Sequence, residues 1–94
     1  MHAVIARVTI RDFEVARQGL RDEVVPRVSQ APGFVAGYWT RSEDGGSGLS
    51  MLLFESEDAA RAAADRIRSD PMPNPDAVSL NDVEVREVVE QAGR

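Results

Sequence analysis

The sequence predicts a ferredoxin-like α+β fold, βαββαβ in order, with both helices on one side of a four-stranded antiparallel sheet. Three observations carry that expectation. Four segments rich in β-branched or alternating apolar residues read as strands: "HAVIARVTI", "FVAGYWTR", "LSMLLFE" and "AVSLNDVEVREVVE". Two segments between them place apolar residues at helical spacing. Right-handed crossovers then turn this order into two split βαβ units.

Each element has its own local reason. Asp12 can cap the helix after strand one, because its side-chain oxygen can accept a free first-turn N–H. Phe13, Ala16, Leu20, Val24 and Val28 then recur at steps of three and four, one face of that helix. Pro26 removes a backbone donor and crowds the preceding turn, so a kink or a tight last turn is expected there. "APG" ends the helix, with Gly33 suited to a left-handed stop. "SEDGGSG" is polar and glycine-rich, and joins strands two and three as a hairpin. Ser56 is a good cap for the second helix, and Glu57 and Asp58 suit its N-terminal dipole. Ala59, Ala60, Ala63 and Ile67 give this helix a small-residue face that can lie close to the sheet. Arg61 and Asp65 are spaced for a solvated i,i+4 pair. "DPMPNPD" cannot continue a helix and reads as a stiff connector. The terminal "QAGR" is expected to fray.

The 94 residues read as a single domain over 1–94. A chain of this length buries only about 60–65% of its unfolded surface, so it gains from association. A hydrophobic fraction of 43% and a charged fraction of 29% fit an ordinary soluble globular protein. The net charge of -5 argues against nucleic-acid binding, which needs a basic stripe, and against a polybasic membrane-surface role. The chain has no cysteine, which excludes disulfides, thiolate catalysis and cysteine-ligated zinc. The opening residues resemble neither a signal peptide nor a membrane span, so a cytoplasmic location is the expectation.

The strands are apolar on both sides. Val4, Ala6, Val8 and Ile10 oppose Ala3 and Ile5; Met51 and Leu53 oppose Leu52 and Phe54; simple alternation sets Phe34 and Tyr38 against Val35 and Trp39. Burying one large apolar side chain is worth about 1.5–3 kcal/mol, so a whole bare face would be costly. The simplest cover for the face without helices is a second copy of the chain. A homodimer built this way is barrel-like, with a cavity between sheet and partner or between sheet and helices.

"APGFVAGYWTR", the glycine-rich turn and "LSMLLFESEDAARAA" resemble the dimeric α/β-barrel superfamily, in its antibiotic-biosynthesis-monooxygenase-like branch. Pro32-Gly33-Phe34 and Phe54-Glu55-Ser56-Glu57 carry the local likeness. The resemblance implies a small homodimer with a sheet-lined pocket for an apolar or aromatic small molecule. It also implies a monooxygenase-type reaction that needs no cofactor, or else a non-catalytic or stress-associated binding dimer. In the quinol-type relatives a tryptophan before the Glu-Ser step lines the pocket, and Phe54 stands there. An asparagine that binds substrate oxygen is replaced by Ser50, and a tyrosine early in the next helix by Ala60. The heme-degrading relatives use a strand-one asparagine, here Ala6 or Arg7 depending on register, and a histidine near helix two, where this chain has none. These departures predict no heme turnover. The resemblance turns Ser50 and Phe54 toward the pocket, and Met51 and Leu53 toward the helices.

The candidate pocket residues are Arg7, Tyr38, Trp39, Ser50 and Phe54, and each has a plainer role beside it. Arg7 sits mid-strand between apolar neighbours and needs either an anionic ligand or a carboxylate partner. Tyr38 and Trp39 combine apolar bodies with polar tips, which suits ligand contact, core packing and interfaces alike. Ser50 can hold a ligand oxygen or satisfy a local group. Phe54 is a wall residue in either reading. His2, the one histidine, lies at the chain start and reads as structural or solvent-exposed. Glu55, Glu57 and Asp58 mark a strand end and a helix start, and no metal site is expected. Gly45, Gly46 and Gly48 lack a phosphate loop's lysine and read as a turn.

Overall fold

The computed structural model describes residues 1–93, so Arg94, the last residue of the segment expected to fray, lies outside them. The elements are β1 (His2–Ile10), α1 (Phe13–Gly19), α2 (Val25–Ser29), β2 (Phe34–Arg41), β3 (Ser47–Phe54), α3 (Glu57–Ser69) and β4 (Val78–Glu87), with a π-helical turn at Leu20–Val24 joining α1 to α2. The sheet order is β2-β3-β1-β4, antiparallel throughout. This is the ferredoxin-like arrangement that the element order predicts. Among the described residues no helix is long and apolar enough to cross a membrane.

The caps form as the sequence implies. Asp12 Oδ1 accepts the Val15 N–H at 3.3 Å, and Ser56 Oγ accepts the Ala59 N–H at 3.1 Å. Pro26 acts differently from expectation. Instead of a kink or a tight last turn, the helix widens just before it. The Val25 N–H reaches back five residues to the Leu20 carbonyl. Pro26 has no N–H to give the Asp22 carbonyl, and its ring would collide with that carbonyl in a regular helix. A π-turn moves the carbonyl aside and lets the helical arm continue. Arg61 also departs from expectation. It pairs with Glu57 at 2.6 Å, while Asp65 pairs with Arg68 at 3.2 Å. Glutamate one turn before arginine is the better orientation against the helix dipole.

The core lies between the sheet and α3. Val4, Leu52, Phe54, Ala60 and Ala64 are fully or almost fully buried there, with Ala59, Ala63 and Ile67 packed around them. Alanine on α3 brings its backbone close to the sheet, which is what the small-residue face predicts.

Two bulges set which side chains reach this core. Phe34 pairs with Phe54 but Ala36 pairs with Leu53, so Val35 is an extra residue. It reverses the alternation, so that Phe34 joins Trp39 on the helix side rather than Tyr38. Phe34 and Phe54 then meet edge to face, with centroids 5.8 Å apart. On β4, Arg7 pairs with Asp82 but Val8 pairs with Leu80, leaving Asn81 as the extra residue. Without it, Val78 and Leu80 could not share a face with Val83 and Val85.

The other face of the sheet carries no helix. Ile5, Leu49, Met51, Leu53 and Tyr38 occupy its β1, β3 and β2 positions by register. Tyr38 is 60% exposed, Met51 41% and Leu49 37%. Met51 and Leu53 therefore point away from the helices, against the expectation, and Leu52 takes the helix side at 2% exposure. The β4 edge of this face is charged. Arg7 Nη1 lies 3.0 Å from Asp82 Oδ1, and Glu84 Oε1 lies 3.5 Å from Arg7 and 2.6 Å from Arg86. Asp82, through its hydrogen bond, raises the Arg7 pKa. Arg86 does most to hold the Glu84 carboxyl below the usual carboxylate range.

Candidate functional site

A cavity of about 310 Å3 opens between the sheet and the first helical arm. Its floor is Ala6, Val8 and Ile10 of β1, Trp39 of β2, and Gly48, Ser50 and Leu52 of β3. Its roof is Phe13, Ala16, Leu20, Val24 and Val28. These five are the periodic residues of the sequence, and the π-turn keeps all of them facing the sheet. The connector after α3 closes one end with Met72, Pro73 and Asn74. A smaller cavity of about 100 Å3 lies beyond Met72 and shares part of this wall.

The connector is tied down from three sides. Asn74 Nδ2 donates to the Val15 carbonyl at 3.4 Å. The Arg11 guanidinium donates to the Pro75 carbonyl at 2.8 Å and to the Asp76 carbonyl at 3.0 Å. Arg27 lies 3.6 Å from Asp70. Gly19 permits this approach, because a β-carbon there would stand 2.8 Å from Asn74 Nδ2 and 3.2 Å from Pro73.

Trp39 lies on the sheet side of the cavity, and its ring folds back over Gly37. A β-carbon on Gly37 would come within 2.9 Å of the indole Cη2 and 3.1 Å of Leu52. A residue larger than glycine would push the indole off this wall. Ser50 pairs with Trp39 across β2 and β3, so its hydroxyl and the indole share one face. The remaining polar side chains around the cavity are Arg17, Thr40, Arg41 and Asn74.

Of the five candidates read from the sequence, the structure brings Trp39 and Ser50 to the cavity. Arg7 does not reach it: it lies on the opposite face and pairs there with Asp82 and Glu84. Tyr38 is on that opposite face too, since neighbours in a strand alternate. Phe54 is 0% exposed in the core between Phe34 and α3, and it does not line the cavity. Ala6, not Arg7, is the β1 residue on the cavity side. His2 lies at the start of β1, outside the cavity, with Nδ1 buried and without a hydrogen-bond partner. Among the described residues no three His, Asp or Glu side chains converge to hold a metal ion. The sequence reading missed Arg17, Arg41, Met72 and Asn74. Only the helical spacing of Arg17 from Phe13 hinted at any of them.

With this geometry the chain superposes on solved structures over nearly its whole length. SnoaB, a cofactor-independent oxygenase from Streptomyces nogalater, matches with a TM-score of 0.69 at 15% identity, covering 99% of this chain and 97% of that one. The chain shares the fold of that protein. The monooxygenase ActVA-Orf6 of Streptomyces coelicolor, solved with the ligand nanaomycin D, matches at 0.56 with 14% identity, covering 97% of this chain and 92% of that one. The heme-degrader MhuD of Mycobacterium tuberculosis, solved with two hemes in its active site, matches at 0.55 with 23% identity, covering 96% and 99%. No protein-family model matches the sequence, and no curated protein is similar enough to match it. The likeness to SnoaB extends over the whole ferredoxin-like unit, the β2-β3-β1-β4 sheet with both helical arms on one face.

Proposed function

We propose that the protein is a homodimer that binds an apolar or aromatic small molecule in the cavity and oxygenates it without a cofactor. The observation that carries this reading is the cavity of about 310 Å3, walled by apolar side chains with Trp39 and Ser50 together on its inner face. A volume of that size suits a small ring system. Trp39 supplies a flat surface for stacking, and Ser50 supplies a hydroxyl for a substrate oxygen. An oxygenation of this kind takes its electrons from the substrate. An activated CH2 group becomes a carbonyl, one atom of dioxygen enters the product, and the other leaves as water. The likeness to SnoaB supports this class of reaction. The bare sheet face, with Tyr38, Met51 and Leu49 in water, supports the dimer.

One observation favours a second reading, a dimer that binds without catalysis. Among the described residues of the sheet floor, polar side-chain groups come only from Ser50 and the Trp39 indole, and Ala6 and Phe54 fill positions where the resemblance expects polar or pocket-lining groups. Native mass spectrometry of freshly purified protein tests the binding common to both readings. We expect a dimer that carries a small molecule, and an empty dimer for Ala16→Phe, which fills the cavity. An identical, ligand-free spectrum for both proteins would overturn the proposal. Oxygen uptake with the recovered molecule then separates catalysis from binding.

A further inference from the structure

All eleven basic residues of this chain are arginine. Among the described residues, Arg7, Arg21, Arg27, Arg61, Arg68 and Arg86 each stand within ion-pair distance of a carboxylate. Arg11, Arg17, Arg41 and Arg66 do not, although acidic residues outnumber basic ones by sixteen to eleven. Of these four it is Arg17 and Arg41 that line the cavity, and both are exposed. They therefore stand at its mouth.

Arg41 is held in place there. Its guanidinium carbon lies 3.7 Å above the Phe13 ring centroid, and its Nε donates to the Gly45 carbonyl at 3.4 Å. Gly45 has a φ of +81°, and a β-carbon on it would come within 2.8 Å of Arg41 Nη2. The turn leaves room for the guanidinium, and the ring supports one of its faces. A guanidinium stacked in this way keeps its N–H edge free to donate. Phe13 and Arg17 are four residues apart on α1, so they are neighbours on one helix face. Arg17 therefore lies next to the ring that Arg41 covers, and the two charges flank one end of the cavity.

We propose that Arg41 and Arg17 select an aromatic acid: a flat apolar ring system inside, against Trp39 and Leu52, and a carboxylate at the mouth. This rests on the reading of the cavity as a ligand site. The planar fork of an arginine matches a carboxylate through two parallel hydrogen bonds. The chain's net charge of -5 does not oppose this. At physiological salt, charges more than about 8 Å away are largely screened, and the nearby Asp44 carboxylate is engaged by the Ser42 hydroxyl at 2.7 Å and the Gly46 N–H at 2.9 Å rather than by Arg41.

Equilibrium dialysis at pH 7 with 2-naphthoate and its neutral isostere 2-naphthamide tests the assignment. The acid should bind about tenfold more tightly, as charge-assisted hydrogen bonds give. Arg41→Gln and Arg17→Gln should each shrink that preference, and the double variant should abolish it, the acid losing about tenfold more affinity than the amide. If the wild type binds acid and amide equally, or the double variant keeps the preference, the carboxylate assignment is wrong and the cavity reading stands. If neither probe binds at millimolar concentration, or Ala16→Phe binds both as the wild type does, the cavity reading fails with it.

Discussion

Phe54→Ala is expected to cost about 3–5 kcal/mol of folding stability. The native fold then survives only in part, because a domain of this size holds only about 5–15 kcal/mol in total. Phe54 is 0% exposed, meets Phe34 edge to face, and packs beneath Ala60 and Ala64. Removing the ring leaves a hole that α3 cannot close, since its alanines already sit against the sheet. Phe54→Leu keeps most of the volume and should lose less than about 1.5 kcal/mol. Urea denaturation of both variants checks this. A loss below about 1 kcal/mol for the alanine variant would mean that Phe54 borders open space, as its candidacy as a pocket wall implied.

The adjacent rings of β2 should separate cleanly. Trp39→Ala removes a half-buried side chain that packs on the core and lies over Gly37. Its cost, about 3 kcal/mol, should be nearly the same at every protein concentration, because the lost contacts are within one chain. Tyr38→Ala removes a ring that is 60% exposed on the open face. Within the monomer it costs little. In the proposed dimer it weakens association, so its loss in thermal stability should be small at low protein concentration and grow as the concentration rises. Thermal unfolding across a concentration series distinguishes the two. A matching concentration response from both variants would show that the two faces of β2 do not do different work.

The element order and both caps were legible because they depend on local chemistry. Asp12 and Ser56 need only a free N–H two or three residues ahead, and the spacing of Phe13 to Val28 needs only a helix. The opposite orientation of Tyr38 and Trp39 was legible for the same reason. Which of them faces the helices was not, since it depends on the pairing of Trp39 with Ser50 on the next strand. Phe34 was grouped with Tyr38 rather than with Trp39 because a bulge at Val35 is a property of two paired strands, and no residue in "GFVAG" announces it. The π-turn escaped notice in a different way. Pro26 signalled a disturbance, but widening and kinking both relieve the same clash, and the packing of Leu20, Val24 and Val28 over the sheet decides between them. Arg7 was left between an anionic ligand and a carboxylate partner because those partners, Asp82 and Glu84, lie on β4, far along the chain. Arg41 was overlooked because its support comes from a ring on α1 and a turn glycine, which only the fold brings together.

One sheet serving two purposes, a cavity on its helix face and a second copy on its open face, is the centre of this account. Met51 lies in the middle of the open face, opposite Ile5 and Tyr38, and is 41% exposed. An aspartate there would bury a charge against apolar neighbours in the dimer and meet only water in the monomer. Sedimentation equilibrium of the wild type and Met51→Asp, at micromolar concentration, is the direct measurement. The account predicts a dimer for the wild type and a folded monomer for the variant. A monomeric wild type, or a variant that remains fully dimeric, would contradict it.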